Sequence, residues 1–371
     1  FSSLYIFHLR GNARTSGEVR RKEKDNVFGV GSRAPIAISL LVKNPASKKC
    51  GQIYFHDIGD YLNREEKLDK IAGFASLAGI NQWQEIKPDE HGDWLKQRDD
   101  SFEQFIVMGS KDDKKTEALF QNYSRGLETG RDAWVINSSK TKTEQNVESM
   151  LDFYNKEVER IGAASLKGTK KERIDQIKPL ISNDPEKISW TSSLIADAAD
   201  ATVLKFPLSC TGTMLYRPFT KQAFLYDSNV IHRVGQMPRI FPDVEAENLI
   251  IGVSAGGKKV AFSALISRHV PSLHFVDIEG SQCFPLYLYD RAKQTIESDL
   301  LASHETEPVR KRDAITDAGL AQFKKAYPRE EFSKEDLFYY VYGILHSTDY
   351  RERFADNLNK DLPRIPTVKN A

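Results

Sequence analysis

The sequence predicts an α+β fold in which two strands, a helical stretch, a β-rich unit and a helical close follow one another along 371 residues. Three observations carry that expectation. Short apolar runs rich in β-branched and aromatic residues open the chain and recur between residues 203 and 290. Amphipathic periodicity of a helical kind marks much of the stretch between them, and an apolar segment behind a capping pattern lies near the end. With 40% hydrophobic and 10% aromatic residues, the chain suffices for two or three packed units, each with its own core.

The runs at Leu4–Leu9 and Pro35–Val42 predict two neighbouring buried strands joined by a polar, Gly-containing stretch. Asn44-Pro45 and the residues after it read as a turn, which sets a first boundary near residue 50. Between Tyr61 and Ala78 the spacing of Leu62, Leu68, Ile71, Phe74 and Leu77 predicts a helix, with Glu65 and Glu66 early in it. Residues 144–161 predict a second helix from Val147, Met150, Leu151, Tyr154 and Val158. A basic connector at Lys167–Arg173, then Pro179 and Pro185, marks a further interruption. Strand-like runs follow at 214–216, 223–226, 248–253, 260–266 and 284–289. Ser333 and Asp336 make a capping-box-like start to the helix at Leu337–Leu345, and Tyr350–Leu358 reads as one more short helix. The domain divisions expected are 1–50, 51–165, 166–300 and 301–371.

Several classes fall away on composition. No apolar run approaches the roughly 18 residues that would cross a bilayer. Cys50, Cys210 and Cys283 lack any CxxC spacing, which argues against a disulfide framework and a zinc site and fits a reducing cytoplasm. The eight histidines form no HExxH pattern, so no metal site is expected. A net charge of +1 neither demands nor forbids a nucleic-acid partner, but residues 1–49 hold ten Lys/Arg against three acids. Such a patch tracks phosphates or is simply a solvated loop.

Gly252-Val-Ser254-Ala-Gly256 matches the GxSxG elbow that exposes a nucleophilic serine, with His269, His274 and Asp277 as the only nearby partners. A helix must follow such a serine at once, whereas Gly256-Gly257 and a strand-like run follow here, so a serine hydrolase is the weak alternative. The same stretch nearly matches a P-loop, but Lys259 stands where the magnesium-binding hydroxyl belongs. A Gly-rich hairpin presenting Lys258 and Lys259 to a phosphate is the better reading. No NPPY-type tetrapeptide is present.

Residues 5–14 (YIFHLRGNAR) and 28–38 (FGVGSRAPIAI) resemble the closing strands of the adenine amino-methyltransferase domain in Type ISP restriction–modification enzymes. Residues 130–134 (GRDAW), 153–155 (FYN), 216–219 (YRPF), 236–241 (QMPRIF), 262–266 (FSALI), 282–289 (QCFPLYLY), 334–347 (KEDLFYYVYGILHS) and 350–354 (YRERF) look like the specificity region of the same family. The resemblance implies that 1–50 is the remnant of an α/β methyltransferase sheet and that a mixed helical and β-rich target-recognition domain follows. It implies duplex DNA as partner, together with methyltransferase, helicase-like and nuclease portions of one longer bacterial polypeptide. Phe1 opens the chain without an initiator Met, as expected of a piece of such a polypeptide. S-adenosylmethionine, ATP and magnesium are then expected for the whole enzyme, with no cofactor and no catalysis in this fragment alone.

Under that resemblance Phe28 stands where related methyltransferases place an aromatic beside a flipped adenine; an ordinary core Phe is the competing reading. Arg10, Asn12, Arg14 and Arg33 flank the first strand pair as phosphate contacts or as strand-end ion pairs. Arg217, Lys221, Arg233, Gln236 and Arg239, interleaved with Tyr216, Phe219 and Phe224, have the make-up of a DNA-facing surface. Arg217 beside Pro218 could equally pin a turn through carbonyl hydrogen bonds. Thr129, Arg131 and Asp132 form a polar cluster before the strand-like Trp134-Val-Ile. The alternative from another class is a scaffold that couples methyltransferase to translocase with little DNA reading of its own.

Overall fold

In this computed structural model, residues 1–15, 17–109, 117–254, 261–291 and 309–368 are described. Contacts divide the chain into two units, Phe1–Arg98 and Asp99–Ala371.

In the first unit, strand β1 (Ser3–Arg10) runs antiparallel to β2 (Ile36–Val42) on one side and parallel to β3 (Gln52–Asp57) on the other. Strand β4 (Gln84–Ile86) completes the order β2-β1-β3-β4. The boundary expected at residue 50 therefore falls inside a sheet, because β3 needs β1 to satisfy its backbone groups. Strand β2 is also not buried. Ile38, Leu40 and Leu41 are exposed along it, since β2 is an edge strand of this sheet and an apolar run signals extended chain without saying what covers it. Helices α1 (Gly17–Glu23) and α2 (Arg64–Phe74) flank the sheet's connections, and α2 starts at a capping box of Asn63 and Glu66. Lys67 on α2 is fully buried, and its Nζ donates to the carbonyls of Glu23 (3.0 Å) and Asp25 (2.6 Å). Burial pushes the pKa of this ammonium down.

The second unit opens with strands β5 (Ile106–Val107) and β6 (Ser124–Arg125), helix α3 (Asp132–Val135) and strand β7 (Ile136–Asn137). Helices α4 (Lys140–Arg160), α5 (Lys170–Ile177) and α6 (Ser192–Ala199) lead to strands β8 (Thr211–Arg217) and β9 (Thr220–Leu225). After the short α7 (Met237–Ile240) come β10 (Ile250–Ser254), β11 (Ala264–Ser267), β12 (Val270–Pro271), β13 (Ser281–Pro285) and β14 (Tyr287–Arg291). Strand β15 (Val309–Asp313), helices α8 (Asp317–Ala326), α9 (Lys334–His346), α10 (Thr348–Arg353) and α11 (Ala355–Leu358), and strand β16 (Arg364–Ile365) close the unit.

Two four-stranded sheets, in the orders β11-β10-β13-β6 and β12-β8-β9-β7, are joined by the ribbons β14-β15 and β16-β5. Val147, Met150, Leu151, Tyr154 and Val158, the residues whose spacing predicted α4, are all buried, and α4 packs on β8 and β9. Each such side chain stabilises the unit by roughly 1.5–3 kcal/mol. The Tyr154 hydroxyl donates to the Thr202 carbonyl at 3.0 Å. The expected divisions at 165 and 300 do not separate these sheets, because β6 and β7 lend two-residue strands to them and β16 returns to β5. Trp134 lies in the α3 turn rather than in a strand; extension begins at Ile136.

Gly252 sits in the middle of β10, between β11 and β13. A Cβ there would lie 1.9 Å from Phe275 Cζ, so the first glycine of the GxSxG match is needed for ring packing. Gly252→Ala is expected to lower stability by about 1–3 kcal/mol through overpacking, read as a lower urea midpoint. An unchanged midpoint would mean that the ring and the strand are not in contact.

Candidate nucleic-acid interface

Strands β8 and β9 meet in a two-residue turn, Pro218-Phe219, between the paired residues Arg217 and Thr220. Proline fixes the backbone at the first turn position, and Phe219 takes φ 62° at the second, where glycine is usual. Holding a bulky residue there costs roughly 1–2 kcal/mol. Phe219 is 88% exposed, so core packing offsets none of it.

Beneath this tip, the Arg217 guanidinium lies 3.9 Å from the Tyr216 ring centroid and donates to the Tyr216 carbonyl (2.8 Å) and hydroxyl (3.2 Å). The Tyr216 hydroxyl in turn donates to Asp132 Oδ2 at 3.0 Å. Arg217 thus pins its own turn, as one of its two expected roles required. On the neighbouring strand, β12 pairs parallel with β8 and brings Arg268 and His269 alongside. Burial lowers the His269 pKa, and the charges of Lys221 and Arg268 lower it further. Lys221 and Arg268 are exposed.

The remaining expected site residues divide by their partners. Thr129 and Arg131 are corrected from DNA contacts to interior groups. Thr129 is buried and donates to Asp132. Arg131 is only 3% exposed and donates from Nη2 to Thr191 Oγ1 at 2.5 Å, while its Nε and Nη1 have no hydrogen-bond partner among the described residues. Burial pushes its pKa down to about 10, with Asp197 opposing the shift. Gly130 lets this segment seat so closely: a Cβ there would meet Thr191 Cγ2 at 2.7 Å and His232 Cβ at 2.9 Å. Arg239 is held by Asp290 at 2.7 Å, and Asp290 also takes Arg312, whose other arm reaches Gln121. That chain of bonds ties α7 to the β14-β15 ribbon, so Arg239 is a structural cation. Arg233 keeps 63% of its side chain exposed but lies 3.4 Å from Glu128. Gln236 is exposed, while Lys258 and Lys259 lie outside the described residues.

In the first unit, Arg10 is engaged by Asp57 (2.7 Å) and by Asp60, which makes it a strand-end ion pair rather than a free phosphate contact. The Asn12 side chain caps the Arg14 amide at 3.1 Å, and Arg14 and Arg33 are exposed. Phe28 is 70% exposed, which removes the core reading of that residue. Ser254 is a buried residue at the end of β10, antiparallel to Ser281, and its hydroxyl accepts the Ser263 amide at 3.1 Å. It sits in a strand ladder rather than on the sharp turn that a nucleophile elbow requires, and the hydrolase reading is dropped. Among the described residues, no group of His, Cys, Asp and Glu side chains could hold a metal ion, and no helix is long and apolar enough to cross a membrane.

Sequence reasoning missed Arg125, exposed on β6, and Arg268, and it did not single out Phe219 from the motif that contains it. A usable signal was present. Residues 201–226 and 248–276 contain no Asp or Glu at all, and they supply β8, β9, β11 and β12.

The second unit is thus a mixed α+β unit with small sheets, presenting cations on strands free of carboxylates and an aromatic at the turn between two of them. The chain belongs to the family described as the Type ISP C-terminal specificity domain, whose model matches residues 118–371. Among solved structures, a nuclease-deletion mutant of the Type ISP restriction-modification enzyme LlaGI in complex with a DNA substrate mimic is 37% identical, with TM-score 0.77 over 99% of this chain and 31% of that one. The ATP-dependent Type ISP enzyme LlaBIII bound to DNA is 30% identical, with TM-score 0.79 over 100% of this chain and 22% of that one. The DrdV–DNA complex is 28% identical, with TM-score 0.78 over 99% of this chain and 33% of that one. The chain therefore spans about a third or less of each of these proteins. No curated protein matches it.

Asp290 supplies a pH test of the structural network. Burial raises its pKa, but the hydrogen bonds from Arg312 and Arg239 outweigh burial and hold the carboxylate below the usual value of 3.8. A depressed carboxylate pKa adds stability above the unfolded value, and that stability is lost as pH falls through the folded one. Asp290→Asn should cost about 1 kcal/mol near neutral pH after allowance for solvent screening, with the difference shrinking below about pH 4. Urea midpoints across pH measure it; a difference independent of pH would contradict the assignment.

Proposed function

We propose that this chain reads the sequence of duplex DNA for a longer restriction–modification enzyme. The reading rests on one observation above others: Lys221, Arg268 and His269 come together on two strand segments that carry no acid, and Phe219 is exposed at the β8–β9 turn. Lys and Arg on phosphates fix register without specifying sequence, whereas Arg, Asn and Gln at base edges specify it. In that division, Lys221, Arg268 and Arg125 hold backbone, and Gln236 with Arg233 are the base-edge candidates. Lys258 and Lys259 add phosphate contacts, with Arg14 and Arg33 of the first unit doing the same. Phe28, exposed, stands beside the base extruded for adenine methylation.

The DNA complexes formed by the three related proteins support duplex DNA as the partner. Choosing a site would direct an adenine methyltransferase to one base, or else release a translocase and nuclease. Those activities, and their S-adenosylmethionine, ATP and magnesium, belong in this reading to portions of the polypeptide outside this chain, in the bacterial cytoplasm.

A duplex selected by this chain from a randomised library, titrated at several salt concentrations, tests the reading. Lys221→Ala and Arg268→Ala should each weaken binding to all sequences alike and lower the slope of log K against log salt by about 1. Gln236→Ala should relax discrimination at one base pair, by about 1–3 kcal/mol. A folded chain that retains no duplex at low salt would overturn the reading and leave a coupling scaffold in its place.

A further inference from the structure

We propose that Phe219 is a wedge that inserts into the base stack of the bound duplex. The inference rests on the DNA-reading function above and adds a mechanism to it: part of the site would be recognised by how readily one base step opens.

Phe219 is the most exposed large apolar side chain among the described residues. Folding gives no reason for a phenylalanine there. The ring buries nothing, and its φ of 62° is a conformation that glycine or asparagine adopts without strain.

The turn that carries it is held from three sides. Pro218 fixes the backbone before it. Arg217 is stacked on Tyr216 and bonded to that residue's carbonyl and hydroxyl. Ser272, from the segment after β12, donates its hydroxyl to the Tyr216 carbonyl at 2.5 Å. An aromatic projected from a braced turn is already in position and loses little freedom when it binds.

Its surroundings select the occupant. Lys221 lies two residues beyond it and Arg217 two residues before it, and the carboxylate under the turn, Asp132, is taken up by the Tyr216 and Thr129 hydroxyls. A polyanion with flat apolar groups inside it meets both demands, and duplex DNA is such a ligand. Apolar side chains set between base steps unstack them, and cations beside the wedge hold the phosphates on either side. Easily unstacked pyrimidine–purine steps are the expected point of entry.

The test uses the whole chain and the duplex that it selects, with 2-aminopurine placed at successive positions. One position should brighten when the unaltered chain binds and stay quenched with Phe219→Ala. Phe219→Ala should weaken binding about tenfold, the scale of one base–aromatic stack, without changing the slope of log K against log salt. Phe219→Trp should keep both affinity and brightening. Phe219→Gly, which removes the strained φ, should unfold at no lower urea concentration than the parent and still lose the same affinity, so misfolding cannot mimic the result. Retention of full affinity by Phe219→Ala, or brightening that survives the substitution, would overturn the wedge while leaving DNA reading intact. Failure of the parent chain to hold any duplex would overturn both.

Discussion

The Ser272 amide donates to the Leu215 carbonyl at 3.0 Å and its hydroxyl to the Tyr216 carbonyl at 2.5 Å, and the outward face of the second unit depends on that attachment. It continues the parallel pairing of β12 with β8, which is only two residues long on the β12 side. Through it, two segments far apart in sequence and both without acids become neighbours in one sheet. Lys221, Arg268 and His269 then share a surface, and the Pro218-Phe219 turn is braced from below. Without it, β8 would be left with β9 alone and the hairpin would lose its base.

Other charged groups of the two units are held within the fold. Asp290 binds two arginines and joins α7 to the last ribbon, Lys67 closes a loop through two carbonyls, and Arg131 fills an interior position at Thr191. Removing the Thr191 hydroxyl would leave Arg131 a buried charge without that partner, which costs more than the intact contact contributes. A basic residue in this chain is therefore not by itself a nucleic-acid contact, and what separates the two kinds is whether the cation is both held by a partner and largely withdrawn from solvent.

That distinction explains what was legible in the sequence. Elements with periodicity could be read: α4 buries Val147, Met150, Leu151, Tyr154 and Val158, and α9 starts at the Ser333–Asp336 capping box. The family resemblance, carried by blocks in order along the chain, was also legible, and with it the α+β class. Two-residue strands such as β5, β6, β7 and β16 have too few side chains to show any period, so the divisions at 50, 165 and 300 did not anticipate how the sheets close. Residue type revealed that Arg131 and Arg239 carry charge but not that Thr191 and Asp290 engage them. Phe219 was read only as one aromatic of a DNA-facing mixture, because residue type does not show that its turn position leaves it exposed at a positive φ.

The central claim is that the β8–β9 hairpin and the β11–β12 segment form one DNA-contacting face. Amide hydrogen exchange of the chain, alone and with its selected duplex, tests this most directly. The account predicts slowed exchange concentrated in peptides covering 211–226 and 264–276, with 132–160 little changed. Protection confined to other parts of the chain, with both of those segments exchanging as they do without DNA, would contradict it.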